Sequence, residues 1–248
     1  MPSRPALTSP AMLRRLFAEF LGTGLLVAMV VGSGIAAQHL SDDAGIQLLE
    51  NSTATVFGLA ILILTLGPVS GAHFNPVVSL VDWFLGQPTG AGLSLPEVGA
   101  YAVVQCVGGV GGALLANLMF DVGTSMSSTE RASGGHLVGE IVATAGLVLV
   151  IFALARTHRG YLAAPAVGAY IGAAYWFTSS TSFANPAVTI GRMFSDTFAG
   201  IAPSSVAAFV CMQVVGGIVG VAVVLVLYPD AGETADDVVV PHGVGGTP

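Results

Sequence analysis

Six long apolar runs limit this chain more than any other feature. They extend roughly over residues 16–37, 46–66, 98–120, 137–155, 161–177 and 206–227. A helix needs about 20 apolar residues to cross the hydrocarbon of a bilayer, and each run is close to that length. The rest of the chain cannot offset them. Only 8% of residues are charged and 54% are hydrophobic, whereas soluble domains carry about a quarter charged residues. Polar surface is too scarce to coat a globule, so the expected fold class is an all-α membrane protein with six transmembrane helices. The first run is too long for a signal peptide and no small-residue cleavage site follows it, so it reads as a retained helix.

Charge gives an orientation. All seven basic residues are Arg. Arg4, Arg14 and Arg15 precede the first run, and Arg156 and Arg159 separate the fourth from the fifth. With six spans both groups lie on one side, which the positive-inside rule makes the cytoplasm. Both termini are then expected inside the cell membrane, with the acidic turn Ser41-Asp42-Asp43 outside. The net charge of −7 does not suit a nucleic-acid partner, and much of the acid lies in loops and in residues 230–237. Cys106 and Cys211 sit inside apolar runs, where buried packing is the simplest role.

The two halves repeat. LFAEFLGTGLLV (16–27) is similar to LVGEIVATAGLV (137–148), matching Glu19 with Glu140. SGAHFNPVVSL (70–80) is similar to STSFANPAVTI (180–190), matching Asn75 with Asn185. YAVVQCVGGVGG (101–112) is similar to FVCMQVVGGIVG (209–220), matching Gln105 with Gln213. Each half has three spans, an odd number, so the second copy enters the membrane upside down. Substrate paths lie near the midplane at the interface of such inverted repeats. The expected division is a short cytoplasmic segment (1–11), repeat one (12–121) and repeat two (136–229) of a single domain over 12–229, and a disordered cytoplasmic tail (230–248).

The Asn-Pro pairs explain themselves as helix starts. Asn is a strong N-cap, and Pro suits the first helical turn because it has no N–H to satisfy. Asn75-Pro76 and Asn185-Pro186 each open a helix, which reaches about Phe84 in one case and Phe194 in the other. Neither can cross ~30 Å at 1.5 Å per residue. Two half-helices entering from opposite sides and meeting at their N-termini resolve this. The irregular backbone before each is tolerated at that depth only where it lines a cavity or is packed in protein.

SGAHFNPV and SFANPAV resemble the two Asn-Pro-Ala boxes of the aquaporin and glycerol-facilitator family, and AEFLGT (18–23) resembles its first-helix signature. The resemblance covers about residues 12 to 229. It implies an aquaporin-like fold of six tilted helices and two re-entrant half-helices in an inverted 3+3 repeat. It implies passive conduction of water or small uncharged solutes through one pore per subunit, usually in a homotetramer. Neither an enzyme nor a cofactor or metal site is expected. The boxes map to Asn75, Pro76 and Val77, and to Asn185, Pro186 and Ala187. Glu19 and Glu140 take the family's role of accepting loop N–H bonds, and His73 resembles its loop histidine.

Departures from the family pattern bear on selectivity. The residue after the second box is normally Arg in the narrow filter; here it is Val188. Counting back from Asn185 puts Ala173 at the fifth-helix filter position and Ser182 at the loop position. Plain counting gives Thr55 for the second-helix position, whereas aligning the FGLA stretch gives Phe57. Such a filter is wide and weakly polar, favouring glycerol, urea or neutral metalloid hydroxides such as arsenous acid. Asn-Pro-Val paired with Asn-Pro-Ala, and the absent Arg, resemble a bacterial branch linked to arsenite movement. Arg192, one turn beyond Val188, and its repeat counterpart Asp82 are candidates for the two vestibules. A local pairing of Arg192 with Asp196 is the competing reading. The rival function is a secondary transporter coupled through Glu19 and Glu140.

Overall fold

The structure is a computed structural model that describes residues 6–88 and 92–229. The proposed tail (230–248) and residues 1–5 of the proposed N-terminal segment lie outside the described residues. Among the described residues the fold is all helical. Helix α1 spans Pro10–Leu40 and α2 spans Ala44–Ser70. A short α3, Pro76–Gly86, follows a re-entrant stretch, and α4 runs over Leu95–Met119. The second half repeats this order with α5 (Gly134–Arg156), a 3₁₀ turn (Gly160–Leu162) leading into α6 (Ala163–Phe177), α7 (Pro186–Arg192) and α8 (Pro203–Leu227).

Five of these helices are long and apolar enough to span a bilayer: α1, α2, α4, α5 and α8. The expected sixth span is α6, shorter at 15 residues and lengthened by its 3₁₀ turn. The half-helices are as short as the sequence requires, with 11 residues in α3 and 7 in α7. Local signals set most boundaries. Ser9 accepts from Met12 N ahead of Pro10, and Asp43 accepts from Gly45 N and Ile46 N. At its other end α2 stops at Gly71, whose φ of 90° is a left-handed conformation that glycine adopts without strain.

Packing follows the repeat. Helix α1 lies against α2 and α4, while α5 lies against α6 and α8. The half-helices cross over: α7 packs on α4 of the first half, and α3 packs on α8 of the second. Glycines permit that approach. A Cβ at Gly109 would stand 2.7 Å from Ala187 O, and one at Gly217 would stand 2.7 Å from Val77 Cγ1. Much of the core surrounds a central cavity between the halves.

Candidate functional site

Each re-entrant stretch is held by one buried carboxylate. Glu19 Oε1 accepts from His73 N (3.0 Å) and Ser70 Oγ (2.6 Å), and its Oε2 accepts from Phe74 N (2.7 Å) and Gln105 Nε2 (2.8 Å). Glu140 repeats the pattern: Oε1 accepts from Phe183 N (2.9 Å), and Oε2 from Ala184 N (2.9 Å) and Gln213 Nε2 (2.6 Å). Both carboxylates are fully buried. A buried charge persists only when its oxygens are filled by donors, as these are.

The anchoring is needed because the backbone there is strained. Ala72 and Phe74 in the first stretch, and Thr181, Ser182 and Ala184 in the second, have φ between 47° and 61°. A side chain in this left-handed region costs about 1–2 kcal/mol per residue. The carboxylate bonds hold the loop N–H groups aside. The same residues then line the cavity, Ala72, His73 and Phe74 from one half and Ser182, Phe183 and Ala184 from the other.

The two box asparagines meet between the halves. Asn75 Oδ1 accepts from Val77 N, and Asn185 Oδ1 accepts from Ala187 N and Val188 N, so both cap their half-helices. Asn75 Nδ2 donates to Ala184 O and Asn185 Nδ2 donates to Phe74 O, each at 2.7 Å. Each amide thus ties its own half-helix to the opposite loop with one N–H. The amide carries two, and both asparagines line the cavity. The second N–H of each is available to an oxygen passing there. The two helix N-termini bring partial positive charge to the same point. The neighbouring box residues are structural in placement. Pro76, Val77, Pro186 and Ala187 do not form the cavity wall, and Val77 packs against Gly217.

Other candidate residues fall in different places. Val188 and Ser182 are buried and line the cavity, and so does Thr55. Phe57 does not: it is 67% exposed on the outer face of α2. Two residues along a helix rotate a side chain by ~200°, so Thr55 and Phe57 could not both face inward. The same geometry corrects Ala173. It lies on the exposed face of α6, while Val167, Ile171 and Tyr175, spaced four apart, form the cavity wall. Spacing was the available signal. Gly168 and Gly172 mark the face of α6 that meets Val56 of α2, and the cavity stripe runs directly beside them. Asp82 is a third correction. It is buried away from the cavity wall, and its Oδ2 accepts from Leu93 N (2.7 Å). His73 lines the cavity, with Nδ1 3.0 Å from Ser79 Oγ and its ring edge-on to Tyr101.

Arg192 lies on the cavity wall and is 2% exposed. Its Nε donates to Ala199 O, and its guanidinium carbon is 3.5 Å from the centre of the Phe183 ring. Asp196 is engaged elsewhere, accepting from Ser128 N (2.8 Å) and Ser128 Oγ (3.0 Å). Those bonds hold its carboxyl below the ordinary range. Among the described residues no carboxylate forms an ion pair with Arg192.

The cavity wall is therefore two-sided. Loop backbone, two asparagine amides, Thr55, Ser182 and Arg192 supply the polar groups. Leu26, Val30, Ile63, Leu147, Ile151 and Ile171 supply the apolar face. Such a lining suits a small neutral molecule with oxygen atoms along one edge.

Comparison with known proteins agrees with this geometry. Residues 6–182 match the family model described as major intrinsic protein. The chain is 47% identical over 211 residues to aquaglyceroporin AqpS of Rhizobium meliloti (strain 1021), covering 84% of this chain and 88% of that one. It is 31% identical over 160 residues to aquaporin-2 of Homo sapiens, covering 62% and 56%. Among solved structures, the aquaglyceroporin from Plasmodium falciparum superposes with a TM-score of 0.61 at 20% identity, covering 88% of this chain and 98% of that one. That last match speaks for the fold.

Proposed function

Because this chain belongs to the major intrinsic protein family, we propose that it is a passive channel for water, glycerol-like polyols and neutral metalloid hydroxides such as arsenous acid. The observation that carries this is one cavity lined jointly by both box asparagines, both irregular loops and an uncharged Val188. The similarity to an aquaglyceroporin supports polyols among the solutes. Arsenous acid is a small neutral tri-hydroxide, and it presents the same hydroxyl edge to the wall.

Filter and loop residues divide the work. Asn75 and Asn185 offer donors at the midpoint. Val188, Ser182 and Thr55 border the path on the side of the second half-helix as an uncharged filter, and Glu19, Glu140 and His73 keep the loops in position. Alternating-access transport through Glu19 and Glu140 is not favoured, since loop donors fill both carboxylates. The arginines at 14, 15, 156 and 159 support cytoplasmic termini in the cell membrane. By the family resemblance, four copies assemble, each with its own pore.

Stopped-flow light scattering on proteoliposomes tests this, with wild type beside Val188→Arg. Osmotic water flow and glycerol influx come from the same vesicles, and arsenite influx comes from metal content. Wild type is expected to pass glycerol and arsenite. Val188→Arg should cut both about tenfold while water flow changes less than twofold. A wild type that passes water alone would refute the solute reading.

A further inference from the structure

The geometry points to Arg192 as a displaced filter cation that forms, with Ser182 and the Tyr175 hydroxyl, a contact site for neutral polyhydroxyl solutes. This inference rests on the channel reading above. Val188 and Arg192 are four residues apart on α7, so they share a face, with Arg192 about 6 Å farther along the axis. Both line the cavity. Position 188 gives that wall an apolar methyl surface, and the guanidinium enters one turn later.

Three features make this a built site. Arg192 is buried without an ion-pair partner among the described residues, and a carbonyl and a ring face hold it in place. Its Nε is spent on Ala199 O, and the other guanidinium nitrogens carry further N–H donors. Ser182 Oγ is buried on the same cavity wall with no hydrogen-bond partner among the described residues. Unlike Thr23 Oγ1 and Thr144 Oγ1, which are also unpartnered, it belongs to a residue that borders the cavity, where a solute hydroxyl would satisfy it. The third feature is a hydroxyl pair. Thr55 Oγ1 donates to Asn51 O, so at 3.2 Å from Tyr175 it accepts the Tyr175 proton. That leaves the Tyr175 oxygen an acceptor at the cavity.

The wall thus presents donors at Arg192, an acceptor at Tyr175, and both at Ser182. A molecule with several hydroxyls gives and takes hydrogen bonds in matching fashion. A cation is repelled by the guanidinium, and an anion has no proton for Tyr175. Selectivity then grades with the number of hydroxyl groups as well as with width.

Glycerol and 1,3-propanediol differ by one hydroxyl, so their flux ratio reads this site directly. The ratio is measured on proteoliposomes of the full chain, after subtracting the flux of protein-free vesicles. Arg192→Leu and Ser182→Ala should each lower it at least threefold, and Arg192→Lys, which keeps a donor, by less. If Arg192 merely clamps Ala199, substitution alters the amount of intact channel and scales both fluxes together. A ratio within 1.5-fold of wild type in the folded variants overturns the inference. Ser182→Ala removes a hydroxyl with no partner among the described residues, so it decides the matter even if Arg192→Leu does not fold. A wild type that passes neither solute overturns the channel reading instead, and this inference with it.

Discussion

The two halves of the molecule share a scaffold and differ at their mouths. In each, a buried glutamate holds two loop N–H groups, a glutamine braces that glutamate, and an asparagine caps a half-helix while bonding the opposite loop. Seven residues past the asparagine the symmetry ends. The first half has Asp82, turned into the protein to hold Leu93 N; the second has Arg192, on the cavity wall. What the repeat duplicates is the machinery that holds irregular backbone in place. What it leaves unequal is the chemistry met by a passing solute.

Breaking the shared scaffold should have the largest effect, and it should be symmetric. Glu19→Gln and Glu140→Gln each keep shape but remove the charge and turn one acceptor oxygen into a donor. Hydrogen bonds to charged groups are worth about 1.5–3 kcal/mol apiece, and each carboxylate accepts at least three. Destabilisation of ~3 kcal/mol or more is expected in both, seen as loss of monodisperse protein in detergent and loss of water flow. A mild Glu140→Gln beside a severe Glu19→Gln would show that the halves are not mechanically equivalent.

A middle-sized effect should separate the crossovers. The Cβ of Gly109→Ala would meet a backbone carbonyl, Ala187 O, and that of Gly217→Ala would meet a side-chain methyl of Val77, both at 2.7 Å. Backbone cannot rotate away, whereas valine can shift. Overpacking costs typically 1–3 kcal/mol, so Gly109→Ala should fall near the top of that range and Gly217→Ala near the bottom. Thermal unfolding in detergent measures both, and an equal drop in midpoint would contradict the distinction.

The sequence made some of this legible and hid the rest for a physical reason. Repetition revealed the scaffold: Glu19 with Glu140, Asn75 with Asn185 and Gln105 with Gln213 recur in order. Half-helix starts followed from the Asn-Pro pairs, while the ends, expected at about Phe84 and Phe194, fall at Gly86 and Arg192. The filter was harder, because finding it means counting through residues 178–184, where φ changes sign and no fixed rise applies. A slip of two residues on the far side turns a helix by ~200°, which separates Ala173 on the exposed face from Tyr175 at the cavity. In the first half the choice between plain counting and the FGLA alignment leaves the same two-residue step between Thr55 and Phe57. Arg192 was visible as one turn past Val188. Its bond to Ala199 O depends on a loop that no periodicity describes.

The smallest effect tests that phase directly. Ala173 lies on the exposed face of α6, so Ala173→Phe adds bulk outside the path and should leave glycerol and water flow within 1.5-fold of wild type. Tyr175→Phe removes only an oxygen, but that oxygen lies at the cavity beside Thr55. The ring still fills its space, so water flow should stay within twofold. Glycerol flow should change by about two- to fivefold, in line with a net ~0.5–1 kcal/mol for one hydrogen bond. Both variants keep the contacts between α2 and α6 made by Gly168 and Gly172, so a change in flux reports on the path and not on helix packing. If Ala173→Phe blocked glycerol while Tyr175→Phe did nothing, the rotation of α6 would be reversed. The filter would then include position 173 after all.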